Sequence, residues 1–181
     1  GYISAFTKGL LEAKELYPNK KARGLLSIDR SRHSMDEAKQ IVDLALKEKL
    51  LSGMIVGIDL SGNFLSKRTL TGQDLYETIK YALNQDIGLA LHVGEVDSED
   101  EKEDFDLILK AIEEYKGKIR LGHAIYRSLD QDKIIKKLKI PVEICPSCHQ
   151  QLGWWKKDEP HPILTLYQHR SRIISGTDDD L

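Results

Sequence analysis

Short runs rich in branched apolar residues recur along the chain, and the stretches between them carry the period of an amphipathic helix. The runs are "GLLSID" (24–29), "GMIVGIDL" (53–60), "GLALH" (88–92), "KIRLG" (118–122), "IPVEIC" (140–145) and "RIISGT" (172–177). Each has the length of a buried parallel strand and is too short for a globular helix. Between them, Ala38, Ile41, Val42 and Ala45 repeat at i, i+3, i+4, i+7, as do Phe105, Ile108, Leu109 and Ile112. Such stripes pack on a sheet. Ser34 with Glu37, and Ser98 with Glu101, have capping-box spacing and mark helix starts. The acidic stretch from Asp97 to Asp106 then reads mostly as a solvated helix start whose charges suit the helix dipole.

Strands that alternate with helices in this way form a parallel sheet with right-handed crossovers, either open and doubly wound or part of an eight-stranded barrel. The residues at the ends of the runs choose between them. Asp29 and Arg30, Asp59 with Ser61 and Gly62, His92 with Glu95, His123, Cys145, and Asp178 with Asp179 all fall at or just past a C-terminal strand end. A (β/α) barrel enzyme builds its site from several strand ends in that manner. An open sheet would gather its site at one switch point, usually with a glycine-rich phosphate loop, and the sequence has none. The expected fold is therefore an α/β barrel of the (β/α)8 TIM type, with about six of its eight βα units present, in one partial barrel domain over residues 1–181. Imidazole and carboxylate groups on one rim can hold a divalent metal and leave others for proton transfer, so a metal-dependent hydrolytic site is expected there.

Composition narrows the classes further. A net charge of -2 gives no reason to expect nucleic acid or membrane as a partner. The apolar runs are far shorter than the roughly 20 residues that span a bilayer, and the first residues lack a signal-peptide pattern. A cytosolic protein is expected. Cys145 and Cys148 are three positions apart, too close to close a useful disulfide loop.

The motifs "LALHVGEV" (89–96), "RLGHA" (120–124), "IPVEICPS" (140–147), "HP" (161–162) and "SGTDDD" (175–180) resemble, in order and spacing, the second half of the adenosine deaminase family. "LLSIDR" (25–30) and "VGIDLSGN" (56–63) are most similar to its adenosine deaminase-like, N6-methyl-AMP deaminase branch. The resemblance implies zinc as cofactor, with His92 and Asp178 as metal ligands. It implies Glu95 as proton donor to a purine ring nitrogen, which asks for a raised carboxyl pKa. It also implies that His123 orients the attacking water and stabilises the developing oxyanion, that Asp179 binds the purine and helps position that water, and that the Gly62 amide meets the purine edge. The implied partner is a small purine nucleoside or nucleotide. The implied reaction is hydrolytic deamination, of N6-methyl-AMP to IMP or of adenosine to inosine.

Two departures qualify the resemblance. Cys145-Pro-Ser-Cys-His149 matches a haem-attachment pattern, but the family usually reads Cys-Pro-x-Ser-Asn at this strand end, so Cys148 and His149 are taken as two substitutions. A haem would need a second axial ligand and an apolar pocket, and a local zinc site would need a second C-x-x-C. The cytidine-type H-x-E and P-C-x-x-C signature is also absent. The second departure is larger, because the family's first-strand His-x-His pair has no counterpart in this sequence. The chain thus reads as a partial copy, expected to be inactive alone. The alternatives are a non-catalytic barrel remnant used for association through its exposed edges, or another metal-dependent amidohydrolase.

Other features suggest less. Trp154 and Trp155 read as half core and half surface, and "KIIKKLK" (133–139) as an amphipathic helix with a solvated basic face. His161 and His169 read as structural. Arg30, Arg32 and His33 lie on the rim where a phosphate could be met, without a second feature tying them to one.

Overall fold

The computed structural model describes residues 1–63, 66–156 and 158–176. In chain order the elements are α1 (Tyr2–Leu16), β1 (Gly24–Asp29), α2 (Met35–Leu51), β2 (Ile55–Ser61), α3 (Gly72–Asn84), β3 (Gly88–Val93), α4 (Glu99–Tyr115), β4 (Ile119–His123), α5 (Leu129–Leu138), β5 (Val142–Ile144), α6 (Pro146–Gln151), α7 (Ile163–Gln168) and β6 (Ile173–Ser175). Each apolar run contains a strand. Pro141 shortens the fifth, because it has no N–H to give to the ladder.

The sheet order is β1-β2-β3-β4-β5-β6, and every pair is parallel. Sequential order with no reversal is the order of a barrel wall, since a doubly wound sheet reverses direction at its switch point. The fold is therefore α/β, an incomplete (β/α) barrel. Its outer face is covered by helices. Leu89, Leu91 and Val93 of β3 and Ile58 and Leu60 of β2 are buried together with Val42 of α2, Ile79 of α3 and Phe105 and Ile108 of α4. Successive residues on a strand face opposite ways. Asp59 and Ser61 of β2, His92 of β3, Arg120 and Gly122 of β4 and Glu143 of β5 accordingly line the other face.

The helix starts follow the sequence in part. Ser34 and Glu37 close a full capping box on α2, and Ser128 with Gln131 closes another on α5. Ser98 caps α4 by accepting from the Glu101 amide, but the Glu101 carboxylate turns inward to the Gly94 N–H at 2.8 Å. The acidic stretch is consequently more than a solvated helix start. Glu101 and Asp104 are 1% and 3% exposed and are buried with Arg30, which is fully buried. Arg30 pairs with Asp104 and lies 3.8 Å from Glu101, while Arg68 pairs with Glu101 and lies 3.4 Å from Asp104. Two cations and two anions form a neutral buried quartet. Arg30 is therefore unavailable to a substrate phosphate. Arg32 lies 3.2 Å from Asp29, and the His33 ring accepts the Asp29 N–H.

Among the described residues, no helix is long and apolar enough to cross a membrane.

Candidate active site

The inner face of the sheet opens, at its C-terminal end, into a cavity of about 750 Å³ lined by Asp59, Gly62, His92, Glu95, His123 and Trp154 among others. This volume falls in the range of small-molecule sites. Four of the expected site residues, Gly62, His92, Glu95 and His123, are thus brought together. Asp178 and Asp179 lie outside the described residues.

His92 points inward because it alternates with the helix-facing Leu91 and Val93. His123 needs a different explanation. Alternation from Leu121 would send its side chain to the helix side. Its backbone instead takes a positive φ of 62°, and the Ala124 N–H donates to the Gly122 carbonyl at 2.9 Å. That is a γ-turn of the rare, strained kind centred on His123. Ala124 follows with φ 47°. The left-handed turn carries the His123 ring into the cavity, where Nε2 lies 3.1 Å from His92 Nδ1.

Glu95, 5% exposed, completes the group. Its Oε1 lies 3.5 Å from His92 Nδ1 and 3.8 Å from His123 Nε2. One ligand atom each from His92, Glu95 and His123 fall within 4.8 Å of one another. Two imidazoles and a carboxylate at that separation are able to hold a metal ion. On its other nitrogen, His92 meets Asp59 at 3.3 Å. Burial opposes a charge on His92, while hydrogen bonds and attraction from Asp59 and Glu95 work the other way and raise its pKa. For Asp59, burial works upward, yet His92, Ser61 and Arg120 hold it below the ordinary carboxylate value.

The loop between His92 and Glu95 is fixed by Gly94. Its φ is 62°, its N–H goes to Glu101, and its carbonyl accepts from the Tyr126 N–H at 2.9 Å. A Cβ at Gly94 would sit 2.9 Å from the Tyr126 carbonyl oxygen. Gly94→Ala is therefore expected to cost about 1–3 kcal/mol, from backbone strain and the clash together. Urea unfolding measures this, and a change below about 0.5 kcal/mol, the size of an ordinary surface substitution, would contradict it.

Several contributors were missed in the sequence. His149, read as an accidental substitution, is fully buried, with Nε2 3.0 Å from His123 Nδ1. His161, read as structural, lies behind it at 3.0 Å, and His169, read in the same way, contacts Asp132. Trp154 sets its ring edge-on to His123 at 5.6 Å, so it belongs to the cavity wall. Arg120 and Glu143 pair at 2.9 Å across β4 and β5. Charged residues inside otherwise branched apolar runs, as in "KIRLG" and "IPVEIC", were the available signal. They mark a strand whose inner face lines a polar cavity.

Imidazole and carboxylate groups gathered at the C-terminal ends of parallel barrel strands are the arrangement from which barrel enzymes build their sites. The family model described as Adenosine deaminase matches residues 2–181, and the chain belongs to that family. It is 33% identical over 157 residues to an Arabidopsis thaliana N6-mAMP deaminase, covering 87% of this chain and 40% of the relative. It is 34% identical over 187 residues to a Danio rerio N6-Methyl-AMP deaminase, covering 98% of this chain and 50% of the relative. The solved structure of Arabidopsis ADAL complexed with IMP superposes with a TM-score of 0.73 at 31% identity, covering 87% of this chain and 42% of that one. The chain spans half or less of the length of these relatives.

Proposed function

We propose that this chain supplies the proton-transfer side, and part of the metal-binding side, of a purine deaminase site. The reaction is hydrolysis at C6 of a purine nucleoside or nucleotide: N6-methyl-AMP and water give IMP and methylamine, or adenosine and water give inosine and ammonia. The observation that carries this reading is Glu95, buried beside His92 and His123 on the wall of a cavity large enough for a nucleotide. The IMP held by the Arabidopsis relative supports a purine nucleotide as ligand.

In this reading His92 and Asp178 hold zinc. When bound, the ion supplies the acidification of water that hydrolysis at neutral pH requires. Glu95 arrives protonated and gives its proton to a purine ring nitrogen, which draws charge away from C6. His123 donates a hydrogen bond to the oxygen arriving at C6. Gly62 and Asp179 hold the purine edge. Trp154 narrows the cavity beside His123 and excludes water. The two closely spaced cysteines fit a reducing compartment, and we place the protein in the cytosol.

The test uses a graft of residues 2–181 in place of the matching half of the Danio rerio relative. N6-methyl-AMP, AMP and adenosine are incubated with it, and IMP or inosine is followed by chromatography. Turnover of N6-methyl-AMP or adenosine is expected. A folded graft that acts only on an unrelated amide would contradict the reading.

The 181-residue chain alone is a different case. His92 and Asp178 are two ligands where a catalytic zinc normally takes three protein groups, because this reading keeps Glu95 for proton transfer and His123 for hydrogen bonding. The expected zinc content after gel filtration is near zero per chain, with no detectable deaminase activity. A content near one, with turnover, would contradict it.

A further inference from the structure

The rim histidine His123 is held from behind by a line of rings that leads away from the cavity. His123 Nδ1 lies 3.0 Å from His149 Nε2, and His149 Nδ1 lies 3.0 Å from His161 Nε2. The line ends on the backbone, where the Ile163 N–H donates to His161 Nδ1 at 3.0 Å. His149 is fully buried and His161 nearly so. Their rings lie within 2° of parallel, and Trp155 closes edge-on over His161 at 4.9 Å.

A backbone N–H is a donor in every protonation state, whereas an imidazole nitrogen is a donor only when it carries the proton. The Ile163 amide therefore requires a lone pair on His161 Nδ1, which places the His161 proton on Nε2. That proton points at His149 Nδ1, which must accept, so the His149 proton lies on Nε2. The same step repeats at His123. Its Nδ1 accepts from His149, and its own proton lies on Nε2, the nitrogen facing His92 and Glu95. The reverse orientation would set a His161 Nδ1–H against the Ile163 N–H, donor against donor at 3.0 Å. An added proton on His161 meets the same obstacle, and burial independently lowers its pKa. At the cavity end the line closes on His92, whose Nδ1 accepts the His123 proton at 3.1 Å while its own proton lies on Nε2, towards Asp59 at 3.3 Å.

We propose that His161 and His149 are positioning residues that lock His123 in its Nε2–H tautomer, so that His123 meets the oxygen arriving at purine C6 as a hydrogen-bond donor. What the donor meets rests on the deaminase reading, while the tautomer itself does not. Backbone strain at His123 has the same sense, since the γ-turn fixes the ring's direction and the relay fixes its proton.

The experiment is long-range proton–nitrogen correlation on the 15N-histidine-labelled 181-residue chain near pH 7.5. His123, His149 and His161 are each expected to show a bare Nδ1 and a protonated Nε2. A His123 with its proton on Nδ1, or a doubly protonated His149, overturns the proposal. His161→Leu removes the donor that holds His149 and is expected to shift the His123 tautomer ratio by about fivefold or more, the factor a neutral hydrogen bond controls. His161→Gln keeps an amide N–H near the position of Nε2 and is expected to restore the wild-type ratio. A folded His161→Leu with an unchanged His123 overturns the role given to His161, and should it fail to fold, the wild-type and His161→Gln spectra decide alone. In the graft, His161→Leu should lower kcat with KM retained, and His161→Gln should recover it. The predicted tautomers in a graft without deaminase activity would sink the deaminase reading and leave the relay standing; the opposite tautomer in an active graft would sink the relay only.

Discussion

Arg30→Met is expected to destabilise the folded chain by about 3–5 kcal/mol at pH 7, the usual cost of removing one partner from a buried ion cluster. Methionine fills much of the same volume, so the loss reports charge more than cavity. The Glu101 and Asp104 carboxylates would be left with Arg68 as the remaining cation of the quartet, inside a region 1% to 3% exposed at those acids. The damage should reach the site, because Glu101 also receives the Gly94 N–H and Asp104 receives the Gly72 N–H at 2.7 Å. The pH dependence follows from Glu101. Burial raises its pKa above the ordinary value of 4.5, against the pull of Arg30, the Gly94 N–H and Arg68. A carboxyl group with a raised folded pKa binds its proton more tightly in the native state, so its ionisation costs stability as pH rises through that pKa. Removing Arg30 raises it further. The deficit of the variant against the wild type should therefore be largest at neutral pH and shrink towards pH 4. Urea unfolding at both pH values measures it. A deficit below about 1 kcal/mol at pH 7, or one that grows on acidification, would show that the quartet is not the brace described here.

Glu95→Gln in the graft is expected to lower kcat by about a hundredfold to ten-thousandfold, the range for loss of a positioned general acid. Glutamine has the same size and still forms hydrogen bonds, but it has no proton to give to a purine nitrogen. KM should change little, because the amide can still meet that nitrogen as a donor. The zinc content of the graft should be unchanged, which separates a lost proton from a lost metal. Initial rates with N6-methyl-AMP make the comparison. A loss of less than tenfold would move the proton donor elsewhere.

The strands and covering helices were legible because their signal is local. A period of two or of 3.6 residues is written in consecutive positions, and Val42, Ala45, Phe105 and Ile108 are buried as that period requires. The rim was legible for a related reason, since strand ends follow from strand positions, and His92, Glu95 and His123 do meet around one cavity. Three features escaped. The quartet joins residues 30, 68, 101 and 104 from three separate segments, and a charge at the start of a helix looks the same whether it turns to solvent or inward. The γ-turn at His123 overrides strand alternation, and "GHA" contains neither an Asn nor a positive-φ glycine at the histidine to announce it. His149 and His161 lie in a segment of short helices without a usable period, so only the fold brings them to His123.

The central claim is that this rim performs metal-dependent hydrolysis at purine C6. Its most direct test is the initial rate of IMP formation from N6-methyl-AMP by the graft, before and after chelation and again after zinc is returned. IMP and methylamine are expected in equal amounts, with loss of the rate on chelation and recovery with zinc. A folded, zinc-loaded graft that leaves N6-methyl-AMP and adenosine untouched, while the Danio rerio relative converts its substrate under the same conditions, would contradict it.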